Sequence, residues 1–280
     1  MLQDLDVGRL ENEFRNINAG AEDIILCFYE GKVMLHRDVD DALTLPTLAD
    51  MAMGEETSAP RYLFRMQEQN YFLWTDPVPV EETGFFAYEP VRQLRQLKSK
   101  EICYALMTGW HLYNWYRTNR ICGCCGTPTE HDSRERMLRC SGCGNMIFPR
   151  ISPAVIVAVT NGERILLSKY AGRAYTRYAL LAGYTEIGET IEQTVHREVM
   201  EEVGLRVKNL RYYKSQPWGV DGNVLMGFFC DVDGSDEIHI DENELSMADW
   251  YFRDALPARD DGISLTREMI RVFEEGREPR

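Results

Sequence analysis

Between Gly183 and Leu205 the chain reads GYTEIGETIEQTVHREVMEEVGL, and this window constrains the fold more than any other part of the sequence. From Thr190 to Val203 the apolar residues Ile191, Val195, Val199 and Val203 recur every four positions, the period of one buried stripe on a helix. Glu198, Glu201 and Glu202 stand at i, i+3 and i+4, so three carboxylates crowd a different face of that helix. An ordinary solvated face would intersperse lysines. A hard divalent cation resolves the repulsion, because such ions take carboxylate oxygens together with the oxygens of a substrate phosphate. Gly183 and Gly188 flank the loop leading into the helix, and Gly204 stands where a glycine would end it. A lone E-x-x-E-E would read as an acidic surface helix. Glu189 and Arg197 argue against that reading, since a guanidinium binds carboxylates bidentately and would hold the loop while orienting the glutamates.

A second pattern lies upstream. Cys122 with Cys125 and Cys140 with Cys143 form two C-x2-C pairs separated by fourteen residues. Two thiolate pairs on separate knuckles suit tetrahedral Zn2+, and the spacer is long enough for a hairpin. Gly123, Gly126, Gly142 and Gly144 supply the backbone freedom that knuckles need. Cys124 competes with Cys125 for the fourth position; the spacing of the other pair favours Cys125. Two disulfides are the alternative, disfavoured because no secretory leader opens the chain and reduced thiols more often bind metal. Cys27, Cys103 and Cys230 are scattered and read as ordinary buried thiols.

The 280 residues allow two domains plus a small module. No apolar run approaches a membrane span, and a cytoplasmic protein is expected. The formal net charge of -14 disfavours a broad basic surface for DNA. A small anionic substrate must therefore be attracted locally, by metal ions and a few arginines.

Along the chain, Asp23 to Tyr29 and Lys32 to His36 read as a hairpin joined by Glu30-Gly31, and Tyr62 to Met66 with Tyr71 to Thr75 as another. Phe85 to Tyr88 adds a strand and Val91 to Arg117 reads as mostly helical. These form a small α+β N-terminal domain over residues 1–118, followed by a four-cysteine ribbon over 119–149 and a third domain over 150–280. In the last, Ala154 to Thr160, Arg164 to Ser168 and Leu180 to Ala182 read as strands before the acidic helix. Leu210 to Gln216 and Leu225 to Asp231 read as strands after it, and Ile263 to Glu275 as a closing helix. Strands interleaved with two helices imply an α/β/α sandwich with a mixed sheet.

The glycine, glutamate and arginine spacing of residues 183–205 matches the Nudix box. With the ribbon before it and Ser215-Gln216-Pro217-Trp218 after it, the chain resembles the NADH pyrophosphatase (NAD diphosphatase) branch of the Nudix hydrolases. Trp115 and Arg120, Pro149 through Pro153, and the DENEL run Asp241 to Leu245 add local matches. The resemblance implies cleavage of the diphosphate of NAD(H) to nicotinamide mononucleotide and AMP with Mg2+ or Mn2+, and in some members removal of NAD caps from RNA. It assigns Glu198, Glu201, Glu202, Glu244 and the carbonyl of Ala182 to the catalytic metals, with Glu202 aligning or deprotonating the attacking water. It places Tyr184 and Trp218 against the substrate's rings, Gln216 in the segment that contacts substrate, and Phe148 at a tyrosine position that reaches the partner subunit's site in a homodimer. Arg92 and Glu135 match further ligand-contacting positions. A surface arginine at 92 and a core tryptophan at 218 are the plain alternatives.

The chain also departs from the family pattern. Where the family continues S-Q-P-W-P-F-P-x-S-L-M, this chain has Gly219-Val220-Asp221-Gly222-Asn223-Val224 between Trp218 and Leu225-Met226. A stiff apolar corner becomes a freer, more polar one, and Asp221 reads either as a turn residue or as a partner for a ribose hydroxyl. Hydrolysis of another nucleoside diphosphate derivative such as ADP-ribose is therefore the alternative function. A non-catalytic nucleotide-sensing zinc protein is a third, disfavoured by the intact glutamates.

Overall fold

In a computed structural model of the protein, the described residues are 1–5, 9–37, 43–51, 59–75, 86–92, 99–172, 176–257 and 262–279. They form two units, each with its own core. One comprises Asp4–Arg150 together with the short segment Gly219–Gly222; the other comprises Met1–Gln3, Ile151–Trp218 and Asn223–Arg280.

In the first unit, Leu10–Glu11 (β1), Ile24–Tyr29 (β2), Lys32–Arg37 (β3), Leu43–Thr44 (β4), Arg61–Met66 (β5), Gln69–Trp74 (β6) and Phe86–Pro90 (β7) build one sheet. Its order is β1-β5-β6-β2-β3-β4, with β7 also paired to β3. Both hairpins read from the sequence are present, while β2 and β6 pair in parallel. Lys100–Thr118 (α1) follows, its first turn capped by Ser99, whose Oγ accepts the N–H of Ile102 at 3.2 Å. The helix therefore starts later than the sequence reading from Val91 suggested; residues 93–98 and Phe85 lie outside the described residues. Gly109 lets α1 press onto β2, because a Cβ there would sit 2.3 Å from Leu26 Cδ1.

The ribbon is a three-stranded antiparallel sheet of Thr129–His131 (β8), Leu138–Cys140 (β9) and Met146–Ile147 (β10). Each knuckle closes the same way. Gly126 N–H donates to Cys122 O at 2.9 Å and Gly144 N–H to Cys140 O at 3.0 Å, and both glycines sit at φ 75°, where an L side chain is strained.

In the second unit, Ser152–Asn161 (β11), Arg164–Tyr170 (β12), Leu181–Tyr184 (β13), Val207–Trp218 (β14), Asn223–Val232 (β15) and Leu245–Phe252 (β16) form a mixed sheet. The order is β14-β15-β11-β12-β16, with β13 also paired to β11. Strand β11 runs parallel to β15 and antiparallel to β12 and β13. Alternation along β11 explains the layering: Ile156 and Ala158 join one core with Phe229, Leu265, Met269 and Phe273, whereas Val155, Val157 and Val159 join another with Val195, Val199 and Val203. The first core belongs to Leu265–Glu274 (α3) and the second to Ile191–Val203 (α2). A mixed sheet between two helices, the expected α/β/α sandwich, is what results. Strand β16 went unrecognised in the sequence because it lies at the sheet edge, where LSMADWYF is mostly half-buried and carries no clean alternation.

Candidate active site

Helix α2 is built to a firm start and a firm stop. Thr190 Oγ1 accepts the N–H of Gln193 at 3.2 Å while Gln193 Oε1 accepts the N–H of Thr190 at 2.8 Å, a reciprocal cap that pins the first turn. Gly204 ends it at φ 71°, its N–H donating to Met200 O. Between them the stripe Val195, Val199 and Val203 is fully buried, each side chain contributing roughly 1.5 kcal/mol or more to docking the helix. With that face committed, the carboxylates must project elsewhere.

Arg197 organises them. Its Nε and Nη2 donate to the two oxygens of Glu189 at 2.6 and 2.9 Å, its Nη1 to Glu198 Oε1 at 2.7 Å and Glu201 Oε2 at 2.9 Å, and its Nη2 also to the carbonyl of Tyr184 at 2.8 Å. The bidentate pair with Glu189 is the one anticipated from charge and spacing. Glu189 is held further by Thr194 Oγ1 at 3.0 Å and by the N–H of Glu186 at 3.0 Å. The Arg197 guanidinium, then the Glu186 N–H, drive its carboxyl down to about 2. The backbone carbonyl of Tyr184 and the Thr194 hydroxyl were not singled out in the sequence. The T-x-x-Q spacing of Thr190 and Gln193 was the available signal for the cap.

Glu198 and Glu202 are 8% and 2% exposed, whereas the Glu201 side chain is open to solvent. Burial pushes the Glu198 carboxyl above the usual carboxylate range, opposed by Arg197 and reinforced by the negative charges of Glu201 and Glu244. Glu244, distant in sequence, is thus brought within electrostatic reach of Glu198. Its backbone is fixed by bonds from Glu244 N–H to Asp241 O at 3.1 Å and from Ala171 N–H to Glu244 O at 2.8 Å. Ala182 pairs with Ile156 in the sheet, and its N–H approaches Glu202 Oε1 at 3.4 Å. Oxygen donors of this kind suit a hard divalent cation. Among the described residues their ligand atoms are less tightly gathered than the ribbon thiols, with Glu198 and Glu201 turned onto Arg197.

Of the residues assigned to substrate contact, Tyr184 is 49% exposed, with its hydroxyl donating to Asn223 Oδ1 at 3.1 Å. Trp218 is buried. Gln216 is fully buried and both ends of its amide are used within the unit: Oε1 accepts the N–H of Leu265 at 2.7 Å, and Nε2 donates to Ile263 O at 2.8 Å and Gln3 Oε1 at 3.3 Å. That side chain pins the start of α3. In the other unit, Phe148, Arg92 and Glu135 are exposed.

The segment that departs from the family pattern is ordered by packing within its own unit. A Cβ at Gly219 would lie 2.1 Å from the carbonyl oxygen of Met107 in α1, and Trp110 Nε1 donates to Val220 O at 3.3 Å. Asp221 stands in the turn with Gly222 at φ 72°, as a turn residue would.

In the ribbon, the thiols of Cys122, Cys125, Cys140 and Cys143 all lie within 4.8 Å of one another. Cys122 Sγ is 3.7 Å from Cys143 Sγ, and Cys125 Sγ is 3.4 Å from Cys140 Sγ. These separations are far beyond the ~2.05 Å of a disulfide. They approach the ~3.8 Å edge of a tetrahedron with Zn–S of about 2.3 Å. Cys124 stays outside the set and donates its backbone N–H to Cys122 Sγ at 3.4 Å. That N–H, with that of Cys125, lowers the Cys122 thiol to about 6 and favours the thiolate that zinc requires.

The glutamate helix and the cysteine ribbon define a class, and comparison with known proteins agrees. Residues 150–273 match the NUDIX domain model, and residues 117–148 match the NADH pyrophosphatase zinc ribbon domain. The chain belongs to the Nudix hydrolase family and carries its zinc ribbon. Among curated proteins it is similar to the NAD-capped RNA hydrolase NudC of Pseudomonas aeruginosa, at 35% identity over 82% of this chain and 78% of that protein. The protein of the same name from Stutzerimonas stutzeri is 33% identical over 86% of this chain and 83% of its own length. That from Klebsiella pneumoniae is 42% identical over 58% of this chain and 63% of its own.

Proposed function

We propose that this chain hydrolyses the diphosphate of NAD(H) to nicotinamide mononucleotide and AMP, and acts on the same linkage in NAD-capped RNA. The observation that carries the reading is the Arg197 cluster, which gathers Glu189, Glu198 and Glu201 beside the carbonyl of Tyr184, with Glu198 against Gly183. The relatives' names add the substrate class.

Glu198, Glu201, Glu202, Glu244 and the carbonyl of Ala182 would hold Mg2+ or Mn2+. Bound there, the ions neutralise phosphate charge and make water a stronger nucleophile. The chain's own part is to fix the geometry. Arg197 holds Glu198 and Glu201 in orientation, and the half-exposed ring of Tyr184 offers a face to a planar base. Glu202, at 2% exposure, takes the proton of the attacking water at a carboxylate oxygen.

The reading includes a homodimer in which exposed Phe148 reaches the partner's site, Arg92 and Glu135 as further ligand contacts, and Trp218 as a ring contact. It includes three parts at residues 1–118, 119–149 and 150–280, and a cytoplasmic protein without DNA or membrane partners. Among the described residues no helix is long and apolar enough to cross a membrane.

The test is a panel of NADH, NAD+, ADP-ribose, diadenosine polyphosphates and NAD-capped RNA with each divalent ion, the products resolved by chromatography. Release of nicotinamide mononucleotide and AMP is expected. Cleavage of ADP-ribose alone would favour the second reading, which rests on the changed segment Gly219–Val224. A dimer-disrupting substitution that left full activity would remove the shared-site element.

A further inference from the structure

The N-terminal unit has its own pocket, of about 980 Å3, between the β2–β3 hairpin, the C-terminal half of α1 and the first strand of the ribbon. Its walls combine two kinds of side chain, aromatic rings and guanidiniums. Trp110, Tyr113 and Arg117 stand at i, i+3 and i+7 on α1 and face the pocket together. The rings of Trp110 and Tyr113 lie 5.4 Å apart at 30°, both backed by Phe28 at 5.5 and 5.3 Å. Tyr116 and His131 form a second ring pair, stacked at 5.7 Å, with the Tyr116 hydroxyl 2.8 Å from His131 Nε2.

Arg61, Arg117 and Arg120 line the same space and are exposed. Arg61 lies over the ring of Tyr116 at 5.8 Å, and Arg117 makes a 3.4 Å bond to the Asn114 side chain. Among the described residues none of the three has a carboxylate partner. In a chain with 45 acidic and 31 basic side chains, three guanidiniums around one cavity with no carboxylate partner among the described residues are a local reversal of sign. Among the described residues Glu30 is the one carboxylate in the lining, and it sits beside the Tyr29 hydroxyl.

Rings with exposed faces select planar ligands, and guanidiniums select phosphate oxygens by paired N–H donors. A volume near the top of the usual small-ligand range accommodates a base, a sugar and a phosphate together. We propose that this pocket binds a nucleotide unit, with its base against the Trp110–Tyr113 pair and its phosphate against Arg117 and Arg120. An acidic peptide would satisfy the arginines and leave the ring faces unused, so a nucleotide fits both features where a peptide fits one. The site needs nothing from the reaction at α2, so it stands or falls separately from it.

The test uses the full-length, zinc-loaded protein with two probes that carry no diphosphate linkage: AMP, and a fluorescent oligoadenylate with a 5'-hydroxyl. The double variant Arg117→Ala, Arg120→Ala is expected to weaken binding of at least one probe by about tenfold or more, with NADH turnover close to wild type. The lysine counterparts at the same two positions should recover part of the affinity. Loss confined to the oligonucleotide assigns a strand as the occupant; loss confined to AMP assigns a free nucleotide. Photo-crosslinking of 8-azido-AMP to the wild-type protein, mapped by mass spectrometry, is expected to label Trp110 or Tyr113 and keeps the test independent of how the variant folds. Affinities unchanged in a variant with normal zinc content and melting temperature would overturn the proposal. So would a crosslink found only outside α1 and the ribbon, or binding of a polyglutamate peptide in preference to both probes. If NADH is not hydrolysed at all, the binding and crosslinking results still decide the question.

Discussion

The carboxyl group of Glu198 occupies the space that a side chain at Gly183 would need. A Cβ placed there would lie 1.9 Å from Glu198 Cδ and within 2.1 Å of both its oxygens. The glycine that opens the box is therefore a hole in strand β13 shaped for the helix carboxylate, and the neighbouring N–H of Ala182 lies 3.4 Å from Glu202 Oε1.

Replacing that glycine should act on the site more than on the fold. In Gly183→Ala the Glu198 side chain must move, and hydrolysis is expected to fall by about 100-fold or more, the cost of misplacing a catalytic group by ~1 Å. Far-ultraviolet circular dichroism should remain that of the wild type. Turnover within a factor of a few of wild type would show that the Glu198 position seen here is not the working one.

Glu202→Gln keeps the volume of a buried side chain and removes its ability to take up a proton. The fold should persist while kcat drops by about 100-fold or more and KM changes little. Near-normal turnover with a properly folded variant would take Glu202 out of the reaction.

Arg197 satisfies three carboxylates and a carbonyl with one planar fork, which an ammonium cannot reproduce. Arg197→Lys is therefore expected to weaken divalent-metal binding and activity by roughly 10- to 100-fold. Calorimetric titration with Mn2+ measures the first effect directly; an unchanged metal affinity would count against the orienting role.

The zinc prediction separates two adjacent cysteines. Cys125→Ser should lose the bound metal by elemental analysis and lower the melting temperature, since structural zinc contributes folding energy outright. Cys124→Ser should retain the metal, because that thiol lies outside the cluster. The reverse pattern would reassign the knuckle.

Asp231 gives a pH dependence. The Arg211 guanidinium, bound bidentately at 2.8 and 3.0 Å, lowers its carboxyl from the ordinary 3.8 to about 2. A depressed folded-state pKa contributes stability above the unfolded value, so this contribution is whole above about pH 4 and fades as pH falls toward about 2. Melting temperature measured across that window should fall less steeply for Asp231→Asn than for the wild type; parallel curves would mean that the pair adds nothing.

Much of the chemistry was legible along the chain because it is local. Glu198, Glu201 and Glu202 share a face through helical spacing alone, and the four ribbon cysteines lie on knuckles whose geometry follows from two C-x2-C steps and their glycines. Long-range placements were not legible in this way. Strand β16 lacks a clean apolar pattern because it is an edge, and Gln216 reads as a polar residue in a motif until the fold spends its amide on the start of α3. The Gly219–Gly222 segment read as a looser corner; Gly219 instead permits close approach to the backbone of α1.

Periodicity and short-range spacing thus determined the acidic helix, the thiol set and the layered α/β/α plan, because side chains a few residues apart are placed by backbone geometry. Only the tertiary structure decided which distant groups are brought together: Glu198 against the missing side chain of Gly183, Glu244 within electrostatic reach of Glu198, and arginines of β5, α1 and the ribbon around one aromatic pocket. Such meetings depend on how strands and helices pack, and packing is a property of the whole chain rather than of any window of it.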